Sequence, residues 1–288
     1  MVAELRLKHL FNDVDEFIVV ESRVTHSGKQ KDTLYVDRDW KSFKPYLSKV
    51  SFLVIDDFPA PQEAWVQRNR GTWMTDPTVW HREIYQRDVA ASRIQEKYAG
   101  RKFVVLCSDA DEIPNRDFAK ELRTQRAYSQ AHNGFYMSMN FSYYNFNWAS
   151  PQAWIKGFAV SDVGLPKHTL SDYRMGNPYD GSVRQDGGWH FSYYMSAADI
   201  ARKLSAFGHT EYNTPQYKDS DHLRKCLHEG KDLFDRGPSF DMLPASADRK
   251  TGYPDGWEEF AKKLSGLQRL PSALVEPSLK RERPGDIN

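Results

Sequence analysis

Three acids crowd a single turn of the chain. In KFVVLCSDADEIP, Asp109, Asp111 and Glu112 follow directly on the apolar run at 103–106. Carboxylates at i and i+2 in a turn can converge on one hard cation, and crowding them without a cation or a proton is costly. Oxygen ligands suit Mg²⁺ or Mn²⁺, ions that bridge to phosphate oxygens and neutralise charge as a phosphorylated group departs. Asp109 and Asp111 are the expected metal holders. A lone D-x-D also reads as a solvated turn capping the next helix. The apolar run before this one and the Ile113-Pro114 stop after it favour chemistry. Two cations are candidates for phosphate. The guanidinium of Arg87 matches phosphate oxygens, although an i,i+4 pair with Glu83 is the blander account. Lys203 can neutralise phosphate or stand as a solvated helix lysine.

The elements that position these groups follow from the patterning. The runs at 17–20, 52–55 and 103–106 are continuous, β-branched or aromatic, and closed by polar residues. Such runs predict strands buried on both faces, as in a parallel sheet covered by helices, where ligands bind beyond the carboxyl ends of strands. Between the second and third, Asp76 caps a helix, Pro77 fits its first turn, and Trp80, Ile84, Ala91, Ile94 and Tyr98 share one face before Gly100. The result is a strand–helix–strand unit with a right-handed crossover. A second helix is expected from Arg116 to about Gln130, capped by Asn115.

From 134 to 148 the sequence GFYMSMNFSYYNFNW alternates as antiparallel strands do. Further strands are expected at 153–160 and 188–194, with a Gly- and Pro-rich loop over 174–188. Ser196 and Asp199 form a capping box for a helix facing inward through Ile200, Leu204 and Phe207. A short helix covers 222–229. The fold class is α/β with a mixed central sheet. One catalytic domain spans 1–265, with a donor half to about 132 and an acceptor half over 133–265; a polar tail covers 266–288.

With 40 basic and 39 acidic residues the net charge is +1, so no field draws the chain to nucleic acid or an anionic membrane. The two cysteines, Cys107 and Cys226, define neither a disulfide framework nor a zinc site and fit a reducing compartment. MVAELRLKHLFNDVDEF holds no long apolar run, so neither a signal peptide nor an integral membrane segment is expected, and a cytoplasmic protein is. Aromatic residues make up 14% of the chain, enough both to fill a core and to line a groove for sugars.

Four motifs in order resemble glycosyltransferase family 17, the β-1,4-mannosyl-glycoprotein β-1,4-N-acetylglucosaminyltransferase family. They are VDEFIVVESRVTHSGKQKDTLY at 14–35, WHREIYQRD at 80–88, SDADEIP at 108–114 and GGWHFSYY at 187–194. The resemblance covers roughly residues 4 to 260. It implies a GT-A-like fold, a UDP-sugar donor with UDP-GlcNAc as the first choice, a glycan acceptor, a divalent cation (Mn²⁺ or Mg²⁺) and inversion at the anomeric carbon. Two features differ. The Golgi members carry a membrane anchor, and they carry cysteines in the stretch matching GWHFSYY, where this chain has Phe191 and Tyr194. A bacterial or viral polysaccharide or a lipid-linked glycan is the more natural acceptor for a cytosolic enzyme.

Within that resemblance further residues take expected roles. Inversion by direct displacement needs a base, usually a carboxylate: Glu211 first, with Asp186 and Asp221 as alternatives. GT-A enzymes often complete the metal shell with a late histidine, which points to His190, then His209. Glu21 and Ser22 end the first strand, where the nucleotide is usually met, unless they simply terminate it. Trp189, Tyr193 and His209 are the expected acceptor contacts, and Trp148 and Trp154 possible sugar platforms, against core packing for each tryptophan. Two rivals remain: a metal-dependent hydrolase of nucleotide sugars or phosphoesters, which passes the group to water, and a non-catalytic carbohydrate-binding protein.

Overall fold

The three apolar runs form strands, but not in one sheet. In the computed structural model, which describes residues 2–70, 72, 74–176, 182–245 and 252–268, β1 (Phe17–Ser22) and β2 (Val50–Ile55) pair in parallel by themselves. The third run, β3 (Val104–Cys107), belongs to a seven-stranded mixed sheet with β4 (Glu112–Pro114), β5 (Phe135–Tyr143), β6 (Trp148–Ala149), β7 (Phe158–Ser161), β8 (Val183–Ser192) and β9 (Leu243–Pro244). β3 pairs antiparallel with β7, Val104 opposite Ser161 and Cys107 opposite Phe158. The expected parallel unit joining the second and third runs is therefore corrected. β7 is buried along its whole length and gives β3 a dry partner that lies far ahead in the chain, where apolar patterning does not reveal it.

β5 is the hub. It pairs with β8 in parallel and with β6 and β7 antiparallel, so the sheet is mixed, as expected. β8 also carries β4 on its other edge, with Glu112 opposite His190 and Pro114 opposite Gly188. Both glycines of the GGW motif are explained by this packing. A Cβ on Gly187 would meet Met137 Cβ at 2.6 Å, and one on Gly188, whose φ is +139°, would meet the Ile113 carbonyl at 2.1 Å. β3 and β4 come from the first 132 residues and their partners from the rest, so the two halves of the chain share one sheet.

The helix Pro77–Lys97 is capped by Asp76, whose side chain accepts from the Thr78 N–H. Its Ala90 and Ile94 pack with Ile18, Val20, Tyr136, Phe158, Val160 and Leu170. Each such large apolar side chain contributes about 1.5–3 kcal/mol when fully buried. The helix expected over 116–130 is two helices, Arg116–Glu121 and Gln125–Gln130, because Thr124 caps the second. The strand expected over 153–160 forms only at Phe158–Ser161. Ser196 caps Ala197–Leu204 as expected, accepting from the Asp199 N–H. The later helix is Ser220–Glu229.

Two further helices are not among those expected, Val2–Leu10 and Trp257–Gln268, although Trp257, Phe260, Ala261 and Leu264 recur on one face of the second. Leu5, Trp257, Phe260 and Leu264 close the core over Trp189 and Phe191. The polar tail assigned to 266–288 begins inside that last helix, where Gln268 is buried and donates to the Tyr144 carbonyl; positions 269–288 lie outside the described residues. The loop assigned to 174–188 is also narrower. Arg174 and Met175 end the helix Leu170–Met175, Gly176 caps it at φ +83°, and β8 starts at Val183. Positions 177–181 lie outside the described residues.

Candidate active site

The acidic turn is held rigidly from all sides. The Asp109 carbonyl accepts from the Glu112 N–H at 3.0 Å, and the Glu112 side chain accepts from the Asp109 N–H at 3.0 Å. Arg6, from the first helix, donates to the carbonyls of Ser108 and Asp109 at 3.1 and 3.0 Å. The Phe191 N–H donates to the Asp111 carbonyl at 2.8 Å. With those carbonyls occupied by protein donors, the turn presents its side chains.

Each carboxylate of the D-x-D meets its own cations. Asp109 Oδ2 lies 2.6 Å from Arg174 Nη2 and Asp109 Oδ1 lies 3.4 Å from Arg87 Nη2. Asp111 Oδ2 lies 3.2 Å from Lys203 Nζ, and Asp111 Oδ1 lies 3.7 Å from His190 Nε2. Burial pushes both carboxyls up. At Asp109 it is outweighed by Arg174 and Arg87, and at Asp111 by Lys203 and His190, so both are held below the usual carboxylate range. The Asp109 side chain is still 42% exposed, open to a ligand. It lines a cleft of about 1250 Å³ together with Arg87, Glu83, Glu21, Val20 and Cys107, which runs between β1 and β3.

Two oxygen-donor carboxylates, both ionised, fit Mg²⁺ or Mn²⁺. Mg²⁺ in particular keeps several waters and is bound through one or two carboxylates plus substrate phosphates rather than by an all-protein cage. Asp109 and Asp111 would hold it. Among the described residues no three His, Cys, Asp or Glu side chains form a closed metal cluster. His190 stands beside Asp111, stacked on Phe141 with ring centroids 4.6 Å apart, its Nδ1 buried without a partner.

The remaining expected residues divide sharply. Lys203 reaches the turn from the helix Ala197–Leu204 and lies 4.7 Å from the ring centroid of Tyr193, so Tyr193 is the floor beneath it. Glu211 and His209 form a pair at 2.8 Å, and Thr75 donates to Glu211 at 3.0 Å. Burial raises the Glu211 carboxyl, but the His209 hydrogen bond leads the effects that bring it below its ordinary value. His209 packs edge-on against Trp80, centroids 4.8 Å apart.

Glu21 is spoken for: it accepts from the Tyr35 and Val36 N–H groups at 2.6 and 3.1 Å, and pairs with Lys31. The Ser22 hydroxyl accepts from the Val24 N–H. Both therefore shape the loop after β1, although Glu21 also faces the cleft.

One expectation is corrected. Trp189 is 2% exposed, packs among Ile113, Phe191 and Trp257, and donates to the Gly252 carbonyl. Side chains alternate along a strand, so the residue beside His190 points into the core and leaves no face for a sugar. Asp186 sits at φ +55° where β8 is irregular against β5, with its carbonyl bonded to Asn115. Four residues of strand separate it from His190, about 13 Å at ~3.3 Å per residue. Trp148 donates to the Leu227 carbonyl, and Trp154 to Glu112.

Sequence reasoning missed Arg174 and Arg6, and gave Glu112 no separate role. Glu112 was visible as the third acid of DADE. Arg174 carried no signal, because 62 positions separate it from its partner.

The architecture is α/β, and β3 ends in two acids, Asp109 and Asp111, ringed by arginine, lysine and histidine. The family model described as glycosyltransferase family 17 matches residues 1–280, and the chain belongs to that family of glycosyltransferases. No curated protein and no solved structure matches it.

Proposed function

We propose that this glycosyltransferase moves a sugar, GlcNAc in the first place, from a UDP-sugar to a glycan hydroxyl with inversion, on a GT-A-like fold and with Mn²⁺ or Mg²⁺ at Asp109 and Asp111. The observation that carries this reading is the pairing of Asp109 with Arg87 and of Asp111 with Lys203. When bound, the ion neutralises charge on the departing diphosphate. Arg87 and Lys203 then exchange their carboxylate partners for phosphate oxygens, a swap among charge-assisted bonds.

The spacing along one helix supports Glu211 as the base. Trp80, Glu83 and Arg87 lie on one face of their helix. Trp80 meets His209 and Arg87 meets Asp109, so the Glu211–His209 pair and the acidic turn flank a row about 10 Å long at ~1.5 Å per residue. A sugar ring with its phosphate spans such a gap. Glu211 takes the proton of the acceptor hydroxyl as its oxygen bonds to the anomeric carbon. The bond from that carbon to the diphosphate oxygen breaks, and UDP leaves with the electron pair. The transition state has oxocarbenium character. His209 is the assigned acceptor contact, while Tyr193, buried beneath Lys203, acts by holding that lysine. Among the described residues no helix is long and apolar enough to cross a membrane. The free thiols Cys107 and Cys226 support placing the reaction in a reducing compartment.

The test is a panel of UDP-sugars incubated with Mn²⁺, with and without chelator, scored for UDP release and donor-dependent thermal stabilisation. Release that depends on an added glycan supports transfer; release indifferent to it marks a hydrolase. Absence of nucleotide-sugar binding under every metal condition refutes the reading.

A further inference from the structure

Glu112 is fully buried, and everything its side chain touches leads back to Asp109. Its oxygens accept from the Asp109 N–H at 3.0 Å, from Trp154 Nε1 at 2.5 Å, and from Arg174 Nη1 and Nη2 at 2.8 and 2.7 Å. A carboxylate offers about four lone-pair sites, so none is left for a ligand. The same Arg174 Nη2 donates to Asp109 Oδ2 at 2.6 Å. Asp109 is thus gripped at two points, its backbone N–H by Glu112 and its carboxylate by the guanidinium that Glu112 holds. The Trp154 ring closes the far side, its centroid 5.7 Å from Arg174 Cζ.

We infer that Glu112 and Arg174 are the positioning pair of the acidic turn: they fix Asp109 with Oδ2 committed to Arg174 and Oδ1 turned toward Arg87 and the cleft, and so set affinity for the divalent cation and nucleotide without contacting the sugar. This rests on the reading of the site given above. The planar fork of Arg174 matters here, because a lysine keeps the charge but cannot bond bidentately to Glu112 while reaching Asp109. A purely structural pair would instead tie the helix Leu170–Met175 to β4 and leave binding at the turn unchanged.

The test compares wild type, Arg174→Lys and the double variant Glu112→Leu/Arg174→Met. Replacing both partners of a buried pair by apolar side chains of similar size commonly preserves folding. Mn²⁺ affinity is read from the paramagnetic resonance of free Mn²⁺, with and without UDP and with no acceptor present, while thermal unfolding reports the folded fraction. The expected result is a tenfold or greater loss of Mn²⁺ and UDP affinity in folded protein for both variants. Arg174→Lys should also raise the donor KM more than it lowers kcat. Wild-type affinity in either folded variant overturns the positioning role. Failure of wild type itself to bind Mn²⁺ or UDP overturns the reading of the site, and this inference with it.

Discussion

Lys203 Nζ stands 3.2 Å from Asp111 Oδ2 although 92 positions separate the two in the chain. The helix Ala197–Leu204 exists in that place because Ile200 and Leu204 bury their side chains completely against Tyr144, Leu223 and Leu227. Lys203, flanking that apolar face, is carried over Tyr193 to the end of the acidic turn. Packing of an apolar helix face thereby places a cation at the site. Charge-assisted hydrogen bonds contribute about 1.5–3 kcal/mol, so Lys203→Met should lower kcat/KM roughly 10- to 100-fold. Because Lys203 is assigned to phosphate and not to the ion, the Mn²⁺ affinity of the nucleotide-free protein should not weaken. Steady-state kinetics beside Mn²⁺ titration checks both halves. Unchanged kcat/KM for the donor would remove Lys203 from the phosphate role.

Asp111→Ala should abolish UDP release while leaving the fold intact. The Asp111 side chain is 25% exposed and its two partners can turn to water or to neighbouring rings, so the cost in stability should stay near 1 kcal/mol. Circular dichroism and a melting curve report the fold, and a coupled assay for UDP reports turnover. Chelation of wild type should reproduce the inactivity of the variant, and excess Mn²⁺ should restore wild type alone. Turnover of Asp111→Ala comparable to wild type would contradict the assignment.

The sequence made the acidic turn legible and left its neighbours hidden, and the reason lies in range. Asp109 and Asp111 announce themselves because they follow an apolar run in the same ten residues. The cap at Asp76 and the face formed by Trp80 and Ile94 are local in the same way and formed as read. Pairing partners are not local. β3 has the composition of a parallel strand yet pairs antiparallel with β7, whose residues lie 51 positions on at the Cys107–Phe158 pair and 57 at the Val104–Ser161 pair. Arg174 reaches Asp109 across 65 positions. His190 and Trp189 differ by one residue, and only the pleat of β8 decides which of them meets the turn and which the core. The bound on what the sequence carries is the register of a strand whose two neighbours, β4 and β5, are both distant.

Glu16 offers a test of fold stability away from the site. It accepts from Ser51 at the start of β2 and from Lys97 and Tyr98 at the end of the long helix. Burial alone would raise its carboxyl, but those three hydrogen bonds outweigh it and bring the folded-state value below normal. A carboxyl depressed by folding contributes stability that is fully present above its unfolded value, about 4.3, and is lost as pH falls through the lower folded value. Glu16→Gln should therefore cost about 1 kcal/mol at neutral pH after allowance for solvent screening. The difference between variant and wild type should shrink in acid. Denaturant melts at pH 7 and pH 3 measure it, and a gap that widens in acid would contradict the linkage.

The choice between Glu211 and Asp186 as base can be settled by a matched pair of variants. Glu211 sits with His209 beside Trp80, one end of the row that Arg87 and Asp109 finish, whereas Asp186 lies along β8 on the side of Asn115. Glu211→Gln keeps the volume and one hydrogen bond to His209 but cannot take a proton. It should lower kcat by about 10²- to 10⁴-fold, the usual contribution of a positioned base, with the donor KM little changed. Asp186→Asn should stay within about twofold of wild type, since its side chain is exposed at the bulge. The pH profile carries the sign. A base whose carboxyl is held below its ordinary value is ionised throughout the neutral range, so the acid limb of kcat should fall only below the usual carboxylate range, and it should vanish in Glu211→Gln. If Asp186→Asn loses the limb and Glu211→Gln keeps it, the base is on β8 and the ten-ångström row does not mark the reacting centre.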